Sequence, residues 1–256
     1  MDKLRISAVS YLNTKPFLEG MGQSGFLEKV DLSLDIPSLC ASKLLEGSVD
    51  IGLVPVAVIP LLKEAHIITN YCIGAEGPVR SVLLYSDVPL KEIKSVLLDN
   101  QSRTSVTLVK ILCKYLWKIH PVWTLVKDGY EQDIGGDVAG VVIGDRTFGL
   151  KNKFRYAFDL AEAWKTLTGL PFVFACWVSN KPIDPETERL FNEALGLGVQ
   201  RAAVVAERYE NQFPAGSNIR EYLTQNISFH LDEPKRQGLQ RFLELLSTIN
   251  AGSVKA

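Results

Sequence analysis

Short apolar runs alternate with helix-like stretches from residue 4 to residue 86, and that order limits the folds open to the chain. Residues 4–10 read as a strand. Residues 15–20 read as a short helix, with Thr14 as its N-cap and Gly20 near its end. Residues 30–36 (VDLSLDI) put Val30, Leu32, Leu34 and Ile36 on one face of a second strand. A helix over 38–47, from Ser38 to Gly47, leads to a strand at 50–54 and a helix over 55–64 that begins at Pro55. Strands at 67–72 and 79–86 follow. Strand and helix in strict alternation mark a parallel sheet covered by helices.

A second series repeats the pattern. Strands are expected at 95–99, 122–126 and 138–143, and a long helix over 103–119 with Ser102 or one of its neighbours at the cap. Asp159 and Glu162 form a D-x-x-E capping box for a helix over 160–168, which stops at Gly169 with Pro171 just beyond. Residues 172–178 (FVFACWV) read as a final core strand. The tail, 184–250, is mostly helical, from the Asp184-Pro185 start to a last helix with Leu239, Phe242, Leu243, Leu246 and Ile249 in one stripe. A short alternating piece, Ile227, Phe229 and Leu231, precedes that helix. The two series, joined by the apolar strands 79–86 and 172–178, predict a two-lobed α/β chain, each lobe a mostly parallel sheet flanked by helices. Lobe one is expected to hold 1–85 plus 175–256, and lobe two 86–174. A ligand is expected in a cleft between the lobes, where strand ends and helix starts converge. One larger sheet is the alternative.

Composition narrows the function. Hydrophobic residues make up 46% of the 256 and charged ones 22%, as in a folded globular protein. With 28 basic and 29 acidic residues there is no basic field for nucleic acid. The longest apolar run, 51–62, is too short to span a bilayer and contains two prolines, so no membrane partner is expected. The amino terminus lacks the apolar segment of a signal peptide, which predicts a cytoplasmic protein. Cysteines 40, 72, 113 and 176 form no CxxC pair and read as reduced core residues.

Several chemistries are missing. The chain has no GxxxxGK[ST], HExxH or GxSxG motif. None of its three histidines, His66, His120 and His230, belongs to a ligand pair, so no metal site is expected. What remains is polar residues at strand-to-helix corners: Asn13 and Thr14; Ser38 after Pro37; Gly77 to Ser81, including Arg80; Ser102 to Ser105, including Thr104; and Gly144 to Thr147, including Asp145. Each alone reads as a cap or a turn. Together they suit a small anion, because free N–H groups at a helix start attract carboxylate or phosphate. Each helix end contributes on the order of 0.3–1 kcal/mol. The pattern supports a binding site and names no reaction.

The blocks SAVSYLNTKPF, DIGLVPVAVIP, GPVRSVLLYS, DNQSRTSVTLVKILC, VIGDRTF and DLAEAWKTLTGLPFVFACWV, in that order over residues 6–178, resemble the chorismate dehydratases of the futalosine route to menaquinone. The resemblance implies a periplasmic-binding-protein-like (type II) fold used as a cytoplasmic enzyme. It implies conversion of chorismate to 3-[(1-carboxyvinyl)oxy]benzoate with loss of water; the product is aromatic, so no cofactor is required. It implies Asn13 and Ser81 as active-site residues and Ser102, Thr104 and Ser105 as holders of a substrate carboxylate. Thr14 and Ser38 complete the expected binding set. Arg80 is a further candidate for a carboxylate contact, or else makes a surface ion pair; Asp145 meets the hydroxyl region or only shapes its turn. The nearest rival, 1,4-dihydroxy-6-naphthoate synthase of the same pathway, carries a different first block and relies on a histidine base. A non-enzymatic binding protein for a small carboxylate would share the fold.

Overall fold

The computed structural model describes residues 3–127 and 129–252. The chain opens with β1 (Leu4–Val9), α1 (Lys15–Gln23), β2 (Val30–Asp35), α2 (Pro37–Leu45), β3 (Ile51–Pro55) and β4 (His66–Ala75). Then come β5 (Val82–Ser86), β6 (Ser95–Asp99), α3 (Arg103–Leu112), β7 (Val122–Val126), β8 (Val138–Ile143), β9 (Tyr156–Asp159) and α4 (Leu160–Thr168). The remainder is β10 (Phe172–Ser179), α5 (Pro185–Gln200), α6 (Ala202–Tyr209), α7 (Ile219–Glu221), β11 (Ser228–His230) and α8 (Glu233–Gly252).

These elements form two compact units, each assembled from two stretches of chain. The first takes Met1–Gly74 and Val173–Glu233, the second Ala75–Phe172 and Pro234–Ala256. The first unit's sheet has the order β11-β4-β10-β3-β1-β2, and the second's β7-β6-β8-β5-β9. The expected parallel pairing is present where βαβ units supply it: β1 with β2 and β3, and β6 with β7 and β8. Both sheets are nevertheless mixed. β10 runs antiparallel to β3, and β5 antiparallel to β8 and β9. Parallel neighbours need a long crossover, and a strand that enters from another stretch of chain is free of that constraint.

The lobes expected from sequence differ from these units at three places, residues 173–174 falling with the first unit. Residues 75–85 fall with the second unit, because β5 pairs there with β8 and β9. Residues 234–256 also fall there. The fully buried Phe242 of α8 packs edge-on against Phe172, with ring centroids 5.2 Å apart, and against Trp164 of α4 at 6.2 Å.

Local corrections have local causes. The helix expected over 55–64 is a run of 3-10 turns over Val56–Leu61, where Pro60 and branched neighbours disfavour an α-helix. The helix expected over 103–119 ends at Leu112 and continues as a π-turn over Cys113–Trp117, closed by left-handed Lys118. In β2, Val30 is buried but Leu34 is 46% exposed; the strand is an edge, and its expected apolar face is covered at one end only. All four cysteines are buried, and none is in a disulfide. Burial pushes the thiols of Cys40 and Cys113 up, to about 11 and about 12. No helix among the described residues is long and apolar enough to cross a membrane.

Candidate functional site

The sequence-predicted residues fall into two groups, one in each unit. In the first unit β1 and β2 run parallel with Val9 opposite Asp35, so the corners that follow leave the same end of the sheet. The Ser10 N–H donates to the Asp35 carbonyl at 2.9 Å. The Asp35 carboxylate accepts from Ser7, Ser33 and Lys43 at 2.7, 2.7 and 2.5 Å. Burial works against that charge, but Lys43 and the two hydroxyls outweigh it and hold the carboxyl below the usual range.

A 3-10 turn over Leu12–Thr14 follows, and all three residues are buried. Thr14 holds the expected N-cap position of α1, but its side chain makes no cap bond. Pro16 in the first helical turn has no N–H to cap. The Thr14 hydroxyl donates instead to Asn13 Oδ1 at 3.4 Å. Asn13 Nδ2 donates to the Tyr222 hydroxyl at 3.3 Å. Ser38 is half-buried in the first turn of α2; Ile36 holds the cap position, with no side-chain bond.

The second unit gathers three predicted corners at one sheet end. β6 and β8 are parallel, so Ser102–Ser105 and Gly144–Thr147 both follow carboxyl ends. β5 is antiparallel to β8, with Val82 opposite Ile143, so Ser81 precedes β5 at that same end. Gly144 N–H donates to the Ser81 carbonyl at 2.8 Å and joins the two loops. Ser81, Ser102, Thr104 and Ser105 are all buried. Ser102 caps α3 as predicted: its Oγ accepts the Ser105 N–H at 3.2 Å and donates to Ser105 Oγ at 2.8 Å. Asp145 lies half-buried in the turn after β8.

Arg80 is the strained member of this group. Its φ is 66°, left-handed for a residue with a Cβ. Asp159 holds it there. One carboxylate oxygen accepts the Arg80 N–H at 2.7 Å, and the other accepts Ala161 and Glu162 N–H at 3.0 and 3.2 Å. Asp159 therefore caps α4 and clamps the corner that carries Ser81. Burial pushes its carboxyl above the usual range, although the N–H groups of Arg80, Val79, Glu162 and Ala161 favour the charge. The Arg80 side chain is exposed.

Beneath these corners lies a cluster that sequence reasoning missed. Asp99, 1% exposed at the end of β6, pairs with the Arg146 guanidinium and accepts from Tyr130 Oη at 3.3 Å. Glu131 takes a second Arg146 nitrogen at 2.8 Å, and the guanidinium lies over the Tyr130 ring. Burial disfavours the Arg146 charge, but Asp99 and Glu131 more than compensate and raise its pKa. Burial, then the Asp99 charge, push the Tyr130 phenol far up. Arg146 stood in the quoted block VIGDRTF, yet only the fold reveals its partners.

Chemically, apart from Arg80 and Asp145, both groups offer neutral donors and helix starts. Asn13, Ser81, Ser102, Thr104 and Ser105 suit hydrogen bonds to carboxylate or hydroxyl. No histidine belongs to either corner set: His66 meets Glu64 at 3.4 Å, His120 is exposed, and His230 packs against Tyr71. No group of three or more His, Cys, Asp or Glu among the described residues could hold a metal ion.

Comparison with known proteins agrees with this frame. A chorismate dehydratase of Thermus thermophilus is 28% identical over 199 residues, which cover 70% of this chain and 73% of that protein. A crystal structure of a protein from Archaeoglobus fulgidus aligns with a TM-score of 0.75 at 12% identity, covering 97% of this chain and 98% of the other. A Candida albicans gene product, described as exhibiting the generic periplasmic binding protein fold, aligns with a TM-score of 0.67 at 9% identity, covering 97% and 91%. The family described as menaquinone biosynthesis matches residues 4–248. The chain has a periplasmic-binding-protein-like fold and belongs to the menaquinone biosynthesis family.

Proposed function

We propose that this protein is a chorismate dehydratase, a hydro-lyase that converts chorismate to 3-[(1-carboxyvinyl)oxy]benzoate and water in the cytoplasm. The similarity to the Thermus thermophilus chorismate dehydratase carries the reading. The chemistry of the two corner sets supports it. The ring carbon that bears the enol ether loses its proton, the neighbouring carbon loses its hydroxyl, and the ring becomes aromatic. Aromatisation drives the reaction, so the protein's task is to orient the substrate and stabilise developing charge.

In this reading the substrate's own enolpyruvyl carboxylate takes the ring proton. Asn13 and Ser81 orient that carboxylate or assist the departing hydroxyl. Ser102, Thr104 and Ser105 hold a carboxylate at the start of α3, where N–H groups and the helix dipole favour an anion. Thr14, Ser38 and Arg80 add substrate contacts, and Asp145 faces the substrate hydroxyl or shapes its turn.

The test is incubation with chorismate followed by ultraviolet spectra. An aromatic product is expected, and intact chorismate overturns the proposal. Asn13→Ala and Ser81→Ala should each lower kcat by about 10²-fold or more, the scale of losing a positioned donor. A folded double variant that turns over at the parent rate removes both residues from the site.

A further inference from the structure

Tyr222 lies 209 residues from Asn13 in sequence, and its hydroxyl meets the Asn13 amide inside the first unit. Its side chain is 1% exposed. The chain there departs from ordinary helix: Asn218 is left-handed, α7 makes one turn, and a π-turn runs over Tyr222–Asn226. Such turns are rare and often mark functional positions. Packing alone would be served by phenylalanine, because a buried hydroxyl costs stability unless it is bonded.

The Asn13 amide has two N–H donors and one carbonyl oxygen. Thr14 donates to Oδ1, and Nδ2 gives one proton to Tyr222 Oη. Its second N–H has no acceptor among the described residues. An asparagine free to rotate would present Oδ1 as readily as Nδ2. Oδ1 facing a dianion repels it, whereas an N–H attracts it.

We infer that Tyr222 is a positioning residue: by accepting one Asn13 N–H it fixes the amide so that the other is presented to the substrate. The inference rests on the reading of Asn13 as an active-site residue. It makes Asn13 a donor to developing negative charge and excludes it as a proton acceptor. Orientation set before the reaction is worth most where water is excluded.

Tyr222→Phe tests it. The expected result is a fall in kcat of about tenfold, the scale of one lost hydrogen bond, with KM for chorismate and Tm close to the parent values. In Asn13→Ala the same tyrosine change should have no further effect on kcat. Asn13→Asp, which keeps the shape and presents only oxygens, should lose as much as Asn13→Ala. Additive effects of the alanine and phenylalanine changes overturn the inference, as does an active Asn13→Asp. A substrate-free arm uses the Asn13 side-chain amide protons in NMR, assigned by their loss in Asn13→Ala. Their hydrogen exchange should quicken about tenfold in Tyr222→Phe, and unchanged exchange overturns the positioning. Failure of the parent protein to convert chorismate ends the functional reading and leaves this arm to decide on Tyr222.

Discussion

Asp99 is almost completely removed from water, and Arg146 is its charged partner. Removing one member of such a pair leaves the other charge buried without compensation, at a cost of about 3 kcal/mol. Arg146→Leu should therefore lower Tm by roughly 6–12 °C for a chain of this size. Glu131→Gln keeps an acceptor for the guanidinium and should cost less than about 1 kcal/mol. Calorimetry of the two variants checks both figures; a parent-like Arg146→Leu would mean that Asp99 is screened by solvent. The cluster also shows what a sequence conceals. Asn13, Ser81 and the Ser102–Ser105 corner were legible because strand ends, helix caps and the quoted blocks are local features. Tyr130 and Arg146 reach Asp99 from 31 and 47 residues away, and no local pattern announces such a meeting. Tyr222 was hidden for the same reason, in a tail that read only as helical.

Helix α1 begins directly after the Asn13 corner and crosses α5 at backbone contact. A Cβ on Gly198 would collide with the Pro16 carbonyl, and one on Gly20 with the Ala194 carbonyl. Backbone atoms cannot swing aside as a flexible side chain can, so Gly198→Ala should destabilise by about 1–3 kcal/mol, the range for overpacking. Pro16 lies three residues from Asn13, so the same variant should also lose turnover, with the Tm shift and kcat measured together. Retention of parent stability and rate would mean that α5 can withdraw freely. Elements with strong local punctuation matched their sequence reading. Asp159, Gly169 and Asp184 occupy the cap positions expected of them. The reading failed at the 3-10 run after β3, where Pro60 stands inside the expected helix, and at the π-turn that ends α3 early. Gly20 was read only as lying near the end of its helix, and the neighbouring backbone explains both it and Gly198.

At the scale of the whole chain, sequence order revealed two α/β series and the fold class. The ends of the units were less legible, because each unit closes with a stretch that returns late in the chain. One ionic clamp ties the two stretches of the first unit. Asp50 accepts from Arg5 at the start of the chain and from Lys181 just after β10, at 2.9 and 2.8 Å. Burial works against ionisation of Asp50, but the Arg5 and Lys181 bonds outweigh it and hold the carboxyl far below the usual aspartate range. The sign follows from proton linkage. An unfolded chain binds the Asp50 proton more readily than the folded one, so stability falls as pH falls. The contribution is complete above the ordinary aspartate value of about 3.9 and is lost as pH drops below it toward the folded value. Arg5 and Lys181 are about half exposed, and solvent screening reduces the clamp to about 1–2 kcal/mol. Asp50→Asn should therefore lower Tm by roughly 2–8 °C at pH 7. Between about pH 4 and pH 2, the gap between variant and parent should narrow as the parent loses the same charge. Thermal melts of both proteins across that range decide the matter: a gap that stays constant with pH would mean that Asp50 acts through packing and neutral hydrogen bonds, with its charge contributing nothing.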